Sequence, residues 1–183
     1  MLVFYGCYFG KMLHQRRKGI RTNQLGEGKH GFPRVIELGI KVIAYIVPFV
    51  ELYSICSGLT SFPLWARLTG LFLAGAGVVI FVCAVYVMHD NWRAGVSQSD
   101  KTELVIDGPF RFSRNPAFLG FDLVYIGILT MFFNYLLLIV SVCGILVFHL
   151  QIVCVEEKFL ANTFGKAYTD YCGRVNRYLG WRK

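Results

Sequence analysis

Apolar residues in this chain come in runs of roughly 17 to 23, divided by short polar stretches, and each run is long enough to cross a bilayer. A helix rising about 1.5 Å per residue needs about 20 apolar residues to span about 30 Å of hydrocarbon. Composition agrees: 55% of the residues are hydrophobic, 16% are charged and the mean hydropathy is +0.51, which leaves too few polar side chains for a soluble surface. The expected fold class is all-α: a multi-pass transmembrane helical bundle of about five membrane helices, forming one integral membrane domain over residues 1–183. The firm spans are 35–56, 65–89, 116–133 and 136–155. Residues 2–13 are a shorter stretch, able to cross in part or to lie at the interface.

The net charge of +8 raises the question of nucleic acid, and the placement of the basic residues answers it. All but Lys41 and Arg67 lie in or beside the first polar loop, in the central polar segment or in the C-terminal tail. One membrane face therefore carries the charge, and the positive-inside rule makes that face cytoplasmic. The charge records topology and attraction to anionic headgroups, without the basic and aromatic pattern of a nucleic-acid groove. The expected location is a bacterial plasma membrane, with the C-terminus cytoplasmic and the N-terminus outside if the short first helix crosses. The expected partners are membrane lipids and a small-molecule or lipid substrate, and not nucleic acid.

Cys56, Cys83, Cys143 and Cys154 lie in apolar spans, Cys7 in the short first one and Cys172 in the tail. No spacing suits zinc, so the cysteines read as small buried hydrophobes and no metal is expected. The basic cluster follows the first apolar stretch instead of preceding it, which does not fit a cleavable signal. Within the spans, Glu37 and Lys41 are spaced for an i, i+4 ion pair. Pro48 is placed to kink its helix. Glu51 is either an intramembrane carboxylate with a role or a group reaching the outer interface. Gly70, Gly75 and Gly77 offer close helix approach, and Asn134-Tyr135 is the turn of an antiparallel hairpin.

Two cytoplasmic stretches flank that hairpin: TELVIDGPFRFSRNPAFLG from Thr102, and EEKFLANTFGKAYTDYCGRV from Glu156. Singly, their parts are turn chemistry at Asp107-Gly108-Pro109, a helix start with Asn115 as N-cap and Pro116 first, headgroup anchors at Arg111 and Arg114, and a solvated Glu156-Glu157. Together they bring helix N-terminal donors, two arginines, the aromatic series Phe110, Phe112 and Phe118, and a carboxylate pair to one face. Such a set suits a ligand with an aromatic base, hydroxyls and both charges.

The run GPFRFSRNPAFLG, then a hydrophobic hairpin, the Glu pair, FG and spaced tyrosines, resembles the isoprenylcysteine carboxyl methyltransferase family. That family is related to the phospholipid methyltransferases. The resemblance covers about residues 102–175, the expected methyltransferase core. It implies a helical membrane bundle that binds S-adenosylmethionine on its cytoplasmic side and takes a lipid substrate from the bilayer. Cofactor contacts carried over by position fall on Thr102, Glu103, Leu104, Val105, Phe110, Asn115, Pro116, Ala117, Phe118 and Glu156, with one of the two glutamates facing the pocket. Three departures stand out. Phe110 and Phe118 replace tyrosines, Asn115 replaces a histidine, and no arginine lies near Ile152 to hold a substrate carboxylate.

Arg114 and His149 are the candidate catalytic residues. His149 is a substrate ligand, a general base for an amine with Asp122 and Tyr125 as partners, or equally an interhelical histidine. Asp90 is a second candidate acceptor of the proton. The expected activity is O- or N-methyl transfer to a lipidic or amphipathic molecule. Two other readings stay open: an NADPH-dependent reductase of the steroid 5-alpha-reductase type, and a non-catalytic membrane subunit. The reductases place an acidic residue where this chain has Phe121.

Overall fold

The computed structural model describes residues 1–26, 28–58, 60–95 and 103–181, and no β-strand forms among them. Five long helices make the body: α1 (Leu2–Arg17), α2 (Phe32–Ser57), α3 (Leu64–Met88), α4 (Pro116–Met131) and α5 (Tyr135–Gln151). A π turn, Ile152–Glu156, carries α5 into α6 (Glu157–Phe164), and α7 (Lys166–Arg174) follows. Among the described residues, two helical stretches, Leu64–Asn91 and Tyr135–Phe164, are long and apolar enough to cross a membrane, and Pro116–Met131 is a shorter apolar helix.

Local sequence sets the helix ends. Pro33 occupies the first turn of α2, where its missing N–H costs nothing, and Gly58 closes the same helix in the left-handed region with its N–H on the Ile55 carbonyl. Pro48 lies inside α2, which continues through it. Asn134 does more than turn the chain: its side chain caps α5 by accepting the Leu137 N–H at 2.9 Å and donates to Ser54 Oγ at 2.7 Å, which ties α5 to α2.

The hairpin helices pack mainly on other partners, α4 on α3 and α5 on α2, and touch one another more sparingly. Small residues explain this pairing. Gly70 and Gly77 of α3 meet Gly127 and Gly120 of α4 so closely that a Cβ at Gly77 would lie 2.7 Å from the Gly120 carbonyl oxygen. Gly75 faces open space and takes no part, contrary to expectation. On the other side, Gly144 of α5 lies against Ile43 and Tyr125. Helix α1 closes the body, with Phe4 fully buried between Phe81 and Phe121 at ring distances of 4.7 Å to each.

Two expectations, for the cysteines and for Glu37, are corrected, and one of the two readings of Glu51 is removed. Cys56, Cys83 and Cys143 are exposed on the outer helix surfaces, since the close contacts are made by glycines and aromatic rings. Glu51 does not reach the outer interface; it is buried and accepts the Tyr5 hydroxyl at 2.9 Å. Glu37 turns away from Lys41 and is buried against Lys29, the Gly26 N–H and Gln151.

The polar loops are ordered by backbone bonds. The loop after α1 pairs with the segment after α3 through Gln24 N–H to Ala94 O and Ala94 N–H to Thr22 O, both at 2.9 Å. Gln15 reinforces this join by donating to the Trp92 carbonyl at 2.9 Å. The tail docks on the segment before α4 in the same way, with Arg114 N–H on Asn176 O and Gly180 N–H on Phe112 O. Tyr171 adds a buried hydroxyl bond to the Phe110 carbonyl at 2.6 Å. Burial pushes this phenol above its ordinary value of 10.0, so its stabilisation is complete below pH 10.0 and is lost as the pH climbs from there. Tyr171→Phe is expected to cost about 1 kcal/mol at pH 7 and to flatten the fall in stability above pH 10.0, read by thermal unfolding in detergent. Equal midpoints for the two proteins at pH 7 would show that the hydroxyl contributes nothing.

Candidate functional site

A cavity of about 230 Å³, open on one side, lies where α1, α2, α4 and α5 meet the two polar segments. The two polar segments contribute Glu103, Leu104 and Val105, Phe110 in the short turn Gly108–Arg111, the start of α4, and Glu156 to its wall. Tyr5, Tyr8, Ile40, Phe121, Tyr125 and Phe148 line it as well. The cavity is therefore lined both by charged and amide groups and by aromatic rings.

Of the cofactor contacts expected from sequence, Glu103, Leu104, Val105, Phe110, Asn115, Pro116, Ala117, Phe118 and Glu156 all line this one cavity. Thr102 lies outside the described residues. Asn115 occupies the N-cap position of α4, but its side chain makes no cap; it donates to the Arg177 carbonyl at 3.1 Å and so holds the tail. Pro116 begins the helix as expected, so Ala117 and Phe118 stand in the first turn, whose N–H groups lack intrahelical acceptors. Phe112 is not part of the cavity wall, whereas Phe110 and Phe118 are.

The adjacent glutamates diverge. In the π turn the Glu157 N–H bonds to the Ile152 carbonyl five residues back, a widened turn of the kind that recurs at functional sites. Glu156 meets the cavity, while Glu157 accepts from Arg177 at 2.8 and 2.9 Å and pairs with Arg114 at 3.1 Å. The Glu157 carboxylate holds Arg177 above the ordinary guanidinium value. Arg114, a candidate catalytic residue, touches the cavity wall with its guanidinium committed to Glu157, the Tyr168 hydroxyl and Cys172, and it lies over the Tyr168 ring. Its geometry is that of a clamp between the tail and the start of α4.

His149 does not line the cavity. It is exposed, and its Nδ1 meets the Tyr178 hydroxyl at 2.6 Å instead of Asp122 or Tyr125, because the helical step places it on the outer side of α5. Asp90 is also outside, on the surface, where Lys18 pairs with it at 3.1 Å. Ile152 is fully buried. The polar side chain at that level which does reach the cavity is Gln151, an amide within an apolar run. The sequence does carry that signal, two residues from the ionisable His149. The contributions of Tyr5, Tyr8, Ile40 and Trp92 depend on distant helices meeting and had no local signature.

No curated protein matches the chain. The family model described as Phospholipid methyltransferase matches residues 65–167, more than half of the chain, from the start of α3 into α7. That span covers α3 from its second residue, all of α4 and α5, and all nine of the expected cofactor-contact positions that line the cavity. The chain belongs to the phospholipid methyltransferase family and is a methyltransferase of the membrane class.

Proposed function

We propose that the chain transfers a methyl group from S-adenosylmethionine to a lipidic or amphipathic small molecule at the cytoplasmic membrane face. The observation that carries this reading is the meeting of nine expected cofactor-contact positions on the wall of one cavity that aromatic rings also line. The residues fit the cofactor chemically. Glu156 suits an ammonium or ribose hydroxyls, and the Phe110 and Phe118 rings suit adenine or a sulfonium. When bound, the cofactor supplies an electrophilic methyl group. The chain's own contribution is alignment and exclusion of water: the aromatic rings keep the site dry, and the docked tail fixes the start of α4. Arg114 and Asn115 act through that docking, and His149 has no place at the reacting atoms.

The topology that goes with this reading has five membrane helices in one unit over residues 1–183, with 102–175 as its core. Helix α1, with 16 residues and thus about 24 Å long, is the fifth. The N-terminus is outside and the basic loops and tail are cytoplasmic, in a bacterial plasma membrane. Membrane lipids surround the exposed apolar residues of α2, α3 and α5, and the methyl acceptor reaches the cavity from among them.

The family and the Phe121 ring support methyl transfer over nicotinamide-dependent reduction. Purified protein in detergent is expected to be stabilised by saturating S-adenosylmethionine, by about 2.7 kcal/mol at a hundredfold excess over Kd, and not by NADPH. Stabilisation by NADPH alone would overturn the proposal. With methyl-labelled cofactor, label is expected in the lipid fraction. Binding with no transfer to any fraction would point to a non-catalytic subunit instead.

A further inference from the structure

Glu37 of α2 and Gln151 of α5 face one another inside the bundle, and neither is solvent-exposed. The Glu37 carboxylate accepts from the Lys29 ammonium, the Gly26 N–H and Gln151 Nε2, the last at 3.2 Å. A carboxylate paired with an ammonium only accepts, so the amide must turn its nitrogen towards Glu37. The opposite end of the amide, Oε1, is buried and has no partner among the described residues, although Gln151 lines the cavity. Buried acceptors in native proteins are nearly always satisfied, so an orphan in a cavity wall points to a ligand.

Position defines what that ligand presents. The i→i+5 turn between Gln151 and Glu156 returns the chain to one face, so both residues share the wall. Phe148 and Tyr125 line the cavity as well. Gln151 thus shares one cavity wall with a carboxylate and with aromatic rings. We infer that Gln151 is a specificity-determining residue, whose amide is locked by Glu37 and Lys29 to offer a fixed acceptor to an N–H or O–H group of the bound ligand. An amine or hydroxyl completes this contact. A carboxylate, which can only accept, leaves it unpaired and is rejected. The inference rests on the proposed methyl-transfer reading, and the donor belongs either to S-adenosylmethionine or to the head of the methyl acceptor.

The test uses the full chain in mixed micelles and two variants. Gln151→Met keeps the length of the side chain without the acceptor. The exchange Glu37→Gln with Gln151→Glu reverses donor and acceptor across the same contact and again leaves an oxygen for the cavity. Affinity for S-adenosylmethionine is one arm; KM and kcat with phosphatidylethanolamine as the amine-bearing probe are the other. Gln151→Met is expected to lose about fivefold or more in cofactor affinity if the donor is the cofactor's. If the donor is the acceptor's, it instead raises KM by about fivefold or more with cofactor affinity kept. The exchange recovers the affected arm. Smaller losses in both arms, or an exchange no better than Gln151→Met, overturn the inference. Failure of the wild-type chain to bind S-adenosylmethionine is seen before any variant is compared, and it removes the proposed function itself.

Discussion

Gly120→Val is expected to prevent recovery of folded protein from the membrane, whereas Gly75→Val is recovered like the wild type. A Cβ at Gly120 would lie 2.8 Å from the Gly77 carbonyl oxygen and 2.8 Å from the Phe81 Cβ, while one at Gly75 meets nothing within 4 Å. The colliding atoms include backbone held in the hydrogen bonds of α3, so no rotamer change relieves the clash. Overpacking of this kind costs about 3 kcal/mol or more. The consequence reaches the cavity, because Ala117 and Phe118 are carried on the same helix one turn before Gly120. Size-exclusion behaviour and thermal unfolding in detergent compare the two variants. Equal recovery of both would show that α3 and α4 are not packed through these glycines.

Two neighbouring glutamates should fail in opposite ways. Glu156→Ala is expected to weaken S-adenosylmethionine binding by about 30-fold or more, the worth of a charge-assisted bond, with little change in melting temperature. Glu157→Ala is expected to destabilise the fold by about 3 kcal/mol, because it leaves the Arg114 side chain, 8% exposed, without its carboxylate. Arg177 loses the same partner, and with it the tail loosens from the segment before α4. Below its lowered melting point the Glu157→Ala protein should still bind cofactor within a few-fold of wild type. Calorimetric titration and thermal unfolding read the two effects separately. Loss of binding in Glu157→Ala with binding kept in Glu156→Ala would reverse the assignment of the two faces.

Much of this was legible in the sequence, for reasons that differ by element. The long apolar runs and the Asn115-Pro116 start of α4 are local signals, and helices form over those runs. The wall formed by the two polar segments was legible because its residues fall in two short stretches, and a helical hairpin returns the chain to the face it left. What could not be read were contacts set by helix pairing. Gly120 and Gly127 gave no sign that α4 packs on α3, since the short turn at Asn134 argued for α5. Glu37 sits one turn from Lys41 in sequence, yet the loop after α1 brings Lys29 to it first. His149 and Gln151 are two residues apart on α5 and point to opposite fates, one outward to Tyr178 and one inward to Glu37. The sequence marks both as polar residues in an apolar run; the packing of α2 is what decides which of them turns inward.

The most direct measurement is ultraviolet cross-linking of methyl-labelled S-adenosylmethionine to the purified full chain, followed by peptide mapping. Saturable label is expected on peptides carrying residues 103–118 or 148–160, and an excess of unlabelled cofactor should remove it. Label confined to residues 60–80, none of which lines the cavity, or no saturable label at all, would contradict the assignment of this cavity to the cofactor.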